Sequence, residues 1–406
     1  MSDVKKIKIA YLSGPVDAAD VYGRWKAGRH TQLFGTSYLM QFFELCAELR
    51  ADALVITTLP GKIARRQIDR VTIENRPPSV SKGLMYHLGM IGGMLALAPA
   101  LFRFRPTVLV VTAHQNYWFA LSFVKALGTE IIPSAHCVLW RPFATSPMHW
   151  RLLLWFDGLF LKLFVTRAMA ISRVVAQQLK SLAGSAWLSV AIITPTYARG
   201  HFDQIATPDD DRRPFRILFN GRIEANKGVF DVVEVAAQLH CERPGEFVFE
   251  ICGDGSDLHQ LREEVRKRGL KDIVNVYGFC DKDALGRIFA ISHVVIVPTR
   301  SEFEEGLAKS CVEAVLAHRP FVTSPVCPAL LLLSAAGVEV TPDDIPGYRD
   351  AIVRLADDPD FYRGKVEACA PLQAQFYDTG RSYKEVLKGL LIDAGIVANC
   401  AGRASP

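Results

Sequence analysis

A chain of 406 residues, half of them apolar and 22% charged, is long enough for two domains of roughly 200 residues, each with a core of its own, and is no small stapled fold. Its net charge of +5 is uneven: residues 1–195 hold 22 Lys and Arg against 10 Asp and Glu, and residues 196–406 hold 25 against 32. A basic first half suits an anionic neighbour, either membrane phospholipid or a phosphate-bearing acceptor, whereas nucleic acid is disfavoured because no recognised module or basic-aromatic stripe occurs.

The nine cysteines are odd in number and form no C-x-x-C pair, which points away from a zinc site or a disulfide framework and towards a reducing compartment. The opening MSDVKKIKIAYLSG runs directly into a strand-like stretch without the anatomy of a secretory leader, so a cytoplasmic location is expected. Strand Ile7–Leu12, helix Leu33–Leu49, strand Ala53–Thr57, helix Leu84–Leu101, strand Thr107–Val111, helix Trp118–Leu127 and strand Glu130–Ser134 alternate, which predicts a doubly wound parallel sheet with ligands at the carboxyl ends of its strands. Gly14–Phe34, with Arg24, Lys26, Arg29 and His30, is too long and polar for a tight turn and reads either as an acceptor-binding loop or as an irregular solvated excursion. Leu84–Phe102 is apolar but contains His87, three glycines and Pro99, with two arginines close behind; it reads as a buried or interfacial helix rather than a membrane span. His114 and His136 each follow a strand. The stretch WRLLLWFDGLFLKLFV from Trp150 to Val165 is either a core stripe or a helix lying in a lipid interface. Strands Ala168–Ser172 and Ala191–Thr194 close the first domain, 1–195. Polar residues 196–214, with Asp209, Asp210 and Asp211, read as a linker.

The second domain, 215–375, opens on strand Phe215–Asn220 and the sequence GRIEANKG, placing Arg222 and Lys227 on a turn before a helix. Strand Phe247–Cys252 leads to Gly253-Asp254-Gly255, a weak nucleotide signal when the third glycine is missing. Helix Leu258–Arg268, strand Val274–Tyr277 and Gly278-Phe279 follow. Asp281-Lys282-Asp283 is formally a metal-binding tripeptide, but it precedes a helix, and capping by Asp283 explains it without metal. Strand Val294–Val297, a polar loop and a helix from Gly306 to His318 present Glu305 and Glu313 eight positions apart, about 12 Å if all of it is helical. Residues 376–406 end in a helix, Phe376–Ala394, and a short tail without periodicity.

The run SEFEEGLAKSCVEAVLAHRP, with Glu305, Glu313 and a helix ending in His-Arg-Pro, resembles the signature loop of the family 4 retaining glycosyltransferases. Gly221-Arg222 followed four residues later by Lys227-Gly228 is similar to that family's diphosphate clamp. The resemblance implies the GT-B fold: two Rossmann-like α/β domains whose parallel sheets face one another across a cleft, with the final helix crossing back to the first domain. It implies a nucleotide diphosphate sugar as donor, UDP favoured, with no cofactor and no metal. Arg222 and Lys227 would hold the diphosphate, Glu313 the ribose and Glu305, Gly306 and Leu307 the sugar, while Gly253, Gly278 and Phe279 border the donor. His136 stands where the family has an active-site histidine. Gly35-Thr36 stands where it has a glycine pair, though here with one glycine, and Arg24 and Arg29 would meet the acceptor. The expected activity is retaining transfer to a lipid-linked or polysaccharide acceptor in envelope or exopolysaccharide synthesis, on the cytoplasmic face of a membrane. A nucleotide-sugar epimerase of the same fold and a catalytically silent, membrane-associated partner subunit are the alternatives. An NAD dehydrogenase is disfavoured because no Gly-x-Gly-x-x-Gly follows the first strand.

Overall fold

The computed structural model describes residues 6–29, 34–78, 82–113, 115–184, 187–206 and 213–398. His30, His114, the aspartates 209–211 and the last eight residues lie outside that set.

The first sheet has eight strands: β1 Lys8–Leu12, β2 Asp52–Thr57, β3 Ala64–Ile68, β4 Val71–Asn75, β5 Val108–Val111, β6 Glu130–Ala135, β7 Arg167–Ala170 and β8 Ser189–Ile192. Their order is β3-β4-β2-β1-β5-β6-β7-β8, and every pairing is parallel except β3 with β4. The central strands are short β-branched and aliphatic runs covered on both faces, the usual state of a parallel sheet; Ile9, Val55, Val108, Val110, Ile131 and Ile132 have no exposure.

Three expectations for this half need correction. The segment after β1 is no irregular excursion. It contains the helix Ala18–Lys26, capped by the Asp17 carboxylate, with Tyr22 packed edge-on against Phe43 and Lys26 ion-paired to Asp69 at 2.5 Å. The predicted helix at 84–101 is two helices, Leu84–Leu95 and Ala98–Phe104, with Pro99 in the first turn of the second, the position where a missing N–H costs least. Nor is it buried: Leu84, Met85, Leu88 and Leu95 are each more than half exposed.

The second sheet is entirely parallel, with β9 Phe215–Asn220, β10 Phe247–Cys252, β11 Val274–Gly278, β12 Val294–Val297, β13 Phe321–Thr323 and β14 Gly337–Glu339 in the order β11-β10-β9-β12-β13-β14. Its order reverses between β9 and β12, and the crevice at the carboxyl ends of such a pair is the ligand position in open α/β sheets. The helix Tyr383–Asp393 lies against the helix Tyr38–Glu48 of the first half, with Lys384 ion-paired to Glu44 at 2.8 Å and Lys388 to Glu48.

The two halves meet across a cleft of about 650 Å³ lined by Tyr38, His136 and Ile171 on one side and by the carboxyl-end loops of the second sheet on the other. Arg141 and Glu304 form an ion pair across it at 2.5 Å.

Candidate active site

The loop after β12 is held from both sides before it reaches the cleft. Arg300 ion-pairs with Asp231 at 2.8 Å, its backbone N–H donates to the Asn226 carbonyl at 3.0 Å, and Ser301 binds Asp343. Further on, Ala308 stands in the left-handed region at φ 69°, a conformation that costs a non-glycine residue of order 1 kcal/mol and persists only where the surroundings impose it. The Glu305 carboxylate accepts the Ala308 N–H at 3.0 Å, so the glutamate stabilises the turn that presents it. The helix beyond runs only Lys309–Leu316. The prediction of a helix from Gly306 to His318 was therefore too long, and the spacing of the two glutamates is not a helical eight-residue rise.

Lys227 donates to the other Glu305 oxygen at 2.5 Å, and both side chains are largely enclosed, at 16% and 12% exposure. Its ammonium also sits 3.8 Å from the centre of the Phe303 ring, over which the Arg222 guanidinium lies at 5.3 Å. One aromatic ring thus lies close to two cations that mutual repulsion would part. Arg222 is the more exposed of the two, at 55%, and pairs with Glu224 at 2.8 Å.

Glu313, one turn into the helix, accepts a hydrogen bond from the Asn220 amide at 2.8 Å. Burial pushes its carboxyl up to about 7, although Lys309 and the Asn220 bond favour the charged form. Lys309 reaches into the cleft with its ammonium 4.8 Å from the Tyr38 ring; the enclosing walls hold its pKa down, while Glu313 and Glu305 oppose that shift. Across the cleft, His136 contacts Ser134 Oγ through Nε2 at 3.0 Å and lies 4.8 Å from Tyr38. Desolvation, and then the Lys309 charge, push it down to about 3. Its imidazole is neutral at physiological pH and can orient a hydroxyl without contributing charge.

Of the residues singled out in the sequence, Arg222, Lys227, Gly253, Glu305, Leu307, Glu313, Phe279 and His136 line this cleft. Gly306 stands between the halves rather than in the lining: a Cβ there would lie 2.0 Å from the His136 carbonyl oxygen. Gly278 supports from behind, its carbonyl accepting the Gly253 N–H at 2.8 Å. Gly253 itself, at φ 151°, lets its backbone approach Gly221, whose oxygen a Cβ would meet at 1.7 Å. Gly35 pairs with Tyr197 and Thr36 donates to the Thr196 carbonyl, and neither belongs to the lining. Arg24 pairs with Asp20 at 2.8 Å on the helix after β1 and Arg29 follows that helix; the cleft brings in neither. The cap of the helix Lys282–Ile291 is Asp281, accepting the Ala284 N–H at 2.8 Å, rather than Asp283. Among the described residues, no three His, Cys, Asp or Glu side chains cluster as a metal site. Sequence reasoning missed Phe303, Asn220, Tyr38 and Lys309. Lys309 was findable, since it lies four residues from each glutamate and could face both.

Two parallel-sheet α/β halves with paired cations and carboxylates at the facing carboxyl ends define the GT-B architecture. Solved structures agree: Anabaena HepE in complex with UDP superposes with a TM-score of 0.65 at 15% identity, covering 96% of this chain and all of that one. Sucrose-phosphate synthase from Thermosynechococcus elongatus gives 0.70 at 14% identity, covering 97% and 100%. Residues 203–367 match the family model described as glycosyl transferases group 1. An alpha-D-kanosaminyltransferase of Streptomyces kanamyceticus is 32% identical over 188 residues, 46% of this chain and 47% of that protein. A glycogen synthase of Mycobacterium tuberculosis is 28% identical over 170 residues, 40% of each. The chain spans about half the length of the curated relatives it matches.

Proposed function

We propose that this chain is a retaining, metal-independent glycosyltransferase that moves a sugar from a nucleotide diphosphate sugar to a hydroxyl of a lipid-linked or polysaccharide acceptor. The observation that carries the reading is the Phe303 platform, which gathers Arg222 and Lys227 beside Glu305 at the carboxyl edge of the second sheet. Breaking a glycosyl phosphate bond leaves a nucleoside diphosphate, and two cations, the enclosed Lys227 and the more exposed Arg222, stabilise the charge that develops on it. Glu313 then takes the ribose hydroxyls and Glu305 those of the sugar. The anomeric C–O bond to phosphate breaks, a new one forms to the acceptor oxygen on the same face, and the acceptor proton passes to the released phosphate. Neutral His136 orients the sugar from the opposite wall.

Uridine is the favoured base, supported by the likeness to a structure in complex with UDP. The basic first half and its exposed apolar helices support a peripheral position on the cytoplasmic face of a membrane, with a role in envelope or exopolysaccharide synthesis. The test is incubation with UDP-sugars and candidate acceptors in EDTA, with the product anomer read by NMR. An α-linked product from an α-linked donor is expected. An inverted product, or turnover only after metal is added, overturns the mechanism, and an isomerised donor formed without acceptor means an epimerase.

A further inference from the structure

A second cavity, of about 690 Å³, lies in the first half between the β2–β4 edge and the helices Leu84–Leu95 and Ala98–Phe104. Its size falls in the range of small-molecule sites. Leu12, Ile56, Met90, Met94 and Leu97 form its walls, with Pro77 and Pro78. Its helical side is opened by glycine, and a Cβ at Gly92 or Gly93 would meet nothing within 4 Å. Two successive helical glycines cost stability, of order 1 kcal/mol each relative to alanine, and here they leave a trough where side chains would otherwise fill the space.

Arg65, Arg76 and Arg103 also line the cavity, and Glu74 is the only carboxylate among its described lining residues. Arg76 binds Glu74 at 2.8 Å and donates to the Ala96 carbonyl at 2.6 Å, while Arg65 pairs more loosely with the same carboxylate at 3.4 Å. Three guanidinium groups against one carboxylate leave a net positive rim, which attracts an anion. The opposite face of the same helix is apolar and exposed at Leu84, Met85, Leu88 and Leu95. Leu84–Phe104 together is apolar enough to cross a membrane by composition, yet 22% buried, as suits a segment resting on lipid.

We propose that this cavity receives the hydrocarbon chain of an anionic amphiphile whose phosphate-type head rests against the arginines. Leu12 and Ile56 stand at the carboxyl ends of β1 and β2, the edge from which His136 projects after β6. From β1 the order runs through β5 to β6, two strand spacings or about 10 Å. The apolar walls therefore reach the side of the sheet that faces the donor cleft, whereas Arg65 and Arg103 also border a pocket with Lys6, Lys8 and Asp52 at the amino ends of β1 and β2. The amphiphile's role as lipid anchor of the acceptor rests on the transferase reading; its binding does not.

The probe is dodecyl phosphate below its micellar concentration, titrated calorimetrically into the full chain, with inorganic phosphate and dodecyl maltoside as controls. Saturable binding of dodecyl phosphate is expected, with both controls weaker by about ten-fold or more. Gly93→Leu places a side chain in the trough and displaces about two methylenes of ligand, so it should weaken binding by at least about ten-fold. Arg103→Gln, which leaves the trough open, should weaken dodecyl phosphate but not dodecyl maltoside. Failure of dodecyl phosphate to bind, equal binding of the maltoside, or binding indifferent to both variants overturns the assignment. UDP titrated into the same samples keeps the two readings apart. Loss of UDP binding in every sample, with alkyl phosphate still bound, sinks the transferase and leaves the cavity standing; intact UDP binding without alkyl phosphate does the reverse.

Discussion

Gly306→Ala is the smallest change that tests whether the cleft works only at its observed width. An alanine Cβ at this position would stand 2.0 Å from the His136 carbonyl oxygen, 2.7 Å from its carbonyl carbon and 2.9 Å from Ile171. Ordinary contact begins near 3.4 Å, so the loop and the backbone after β6 must part by more than 1 Å. Both close atoms are main chain, and no rotamer change relieves them. Overpacking of this kind costs about 1–3 kcal/mol, while a displacement of about 1 Å at a reacting centre costs on the order of 10²-fold in rate. The adjacent Glu305, His136 on the facing wall and the Arg141–Glu304 ion pair at 2.5 Å all move with the two backbones. Steady-state kinetics should show kcat/KM lower by about 10²-fold with a fall in Tm of a few degrees. Wild-type kinetics in a folded Gly306→Ala protein would refute the requirement for this approach.

Lys227→Ala and Arg222→Ala should each lower kcat/KM by about 10²–10³-fold, about 3 kcal/mol or more of transition-state stabilisation; near-normal rates in both would remove the clamp. Lys227→Ala should also lower Tm in a melting scan, because it strips the enclosed Glu305 of its partner, while the exposed Arg222 should leave Tm unchanged. Phe303→Leu, which keeps the apolar bulk and removes the π face, should lower kcat/KM by about 3- to 10-fold through both cations. For Glu313, the folded carboxyl titrates at about 7 against an ordinary 4.5. Between those values the folded chain holds a proton that the unfolded chain has lost, so this group's contribution to stability is greatest at the acid end and declines as pH rises through the window. Ribose binding needs the carboxylate, so donor affinity runs the opposite way and falls below pH 7. Glu313→Gln should flatten both dependences; an unchanged pH profile of donor binding would exclude Glu313 from that role.

What the sequence made legible follows from where a residue's environment is written locally. Buried parallel strands such as Val294–Val297 and Phe215–Asn220 advertise themselves because both faces must be apolar. Arg222, Lys227, Glu305 and Glu313 stood out through the resemblance of their two loops to a known family's motifs; in isolation, two cations on a strand-to-helix turn read as ordinary surface residues. The β3–β4 hairpin was invisible, since Ala64–Ile68 is an exposed edge strand reading ARRQI, with no apolar alternation to reveal it. The start of the helix Lys309–Leu316 was also hidden. Ala308 adopts a left-handed turn that no propensity would assign to alanine, and what holds it is the Glu305 carboxylate. Phe303 looked like loop filler because its role exists only when Lys227, 76 positions earlier in the chain, is folded over its ring. The contact of Gly306 with the His136 backbone joins two domains, and periodicity within either one carries no trace of it.

The most direct measurement is calorimetric titration of UDP into the wild-type chain and Lys227→Ala, with EDTA in both cells. The account predicts saturable binding to the wild type without metal, weakened at least about ten-fold in the variant. Binding that appears only on adding a divalent cation, or that Lys227→Ala leaves untouched, would contradict it.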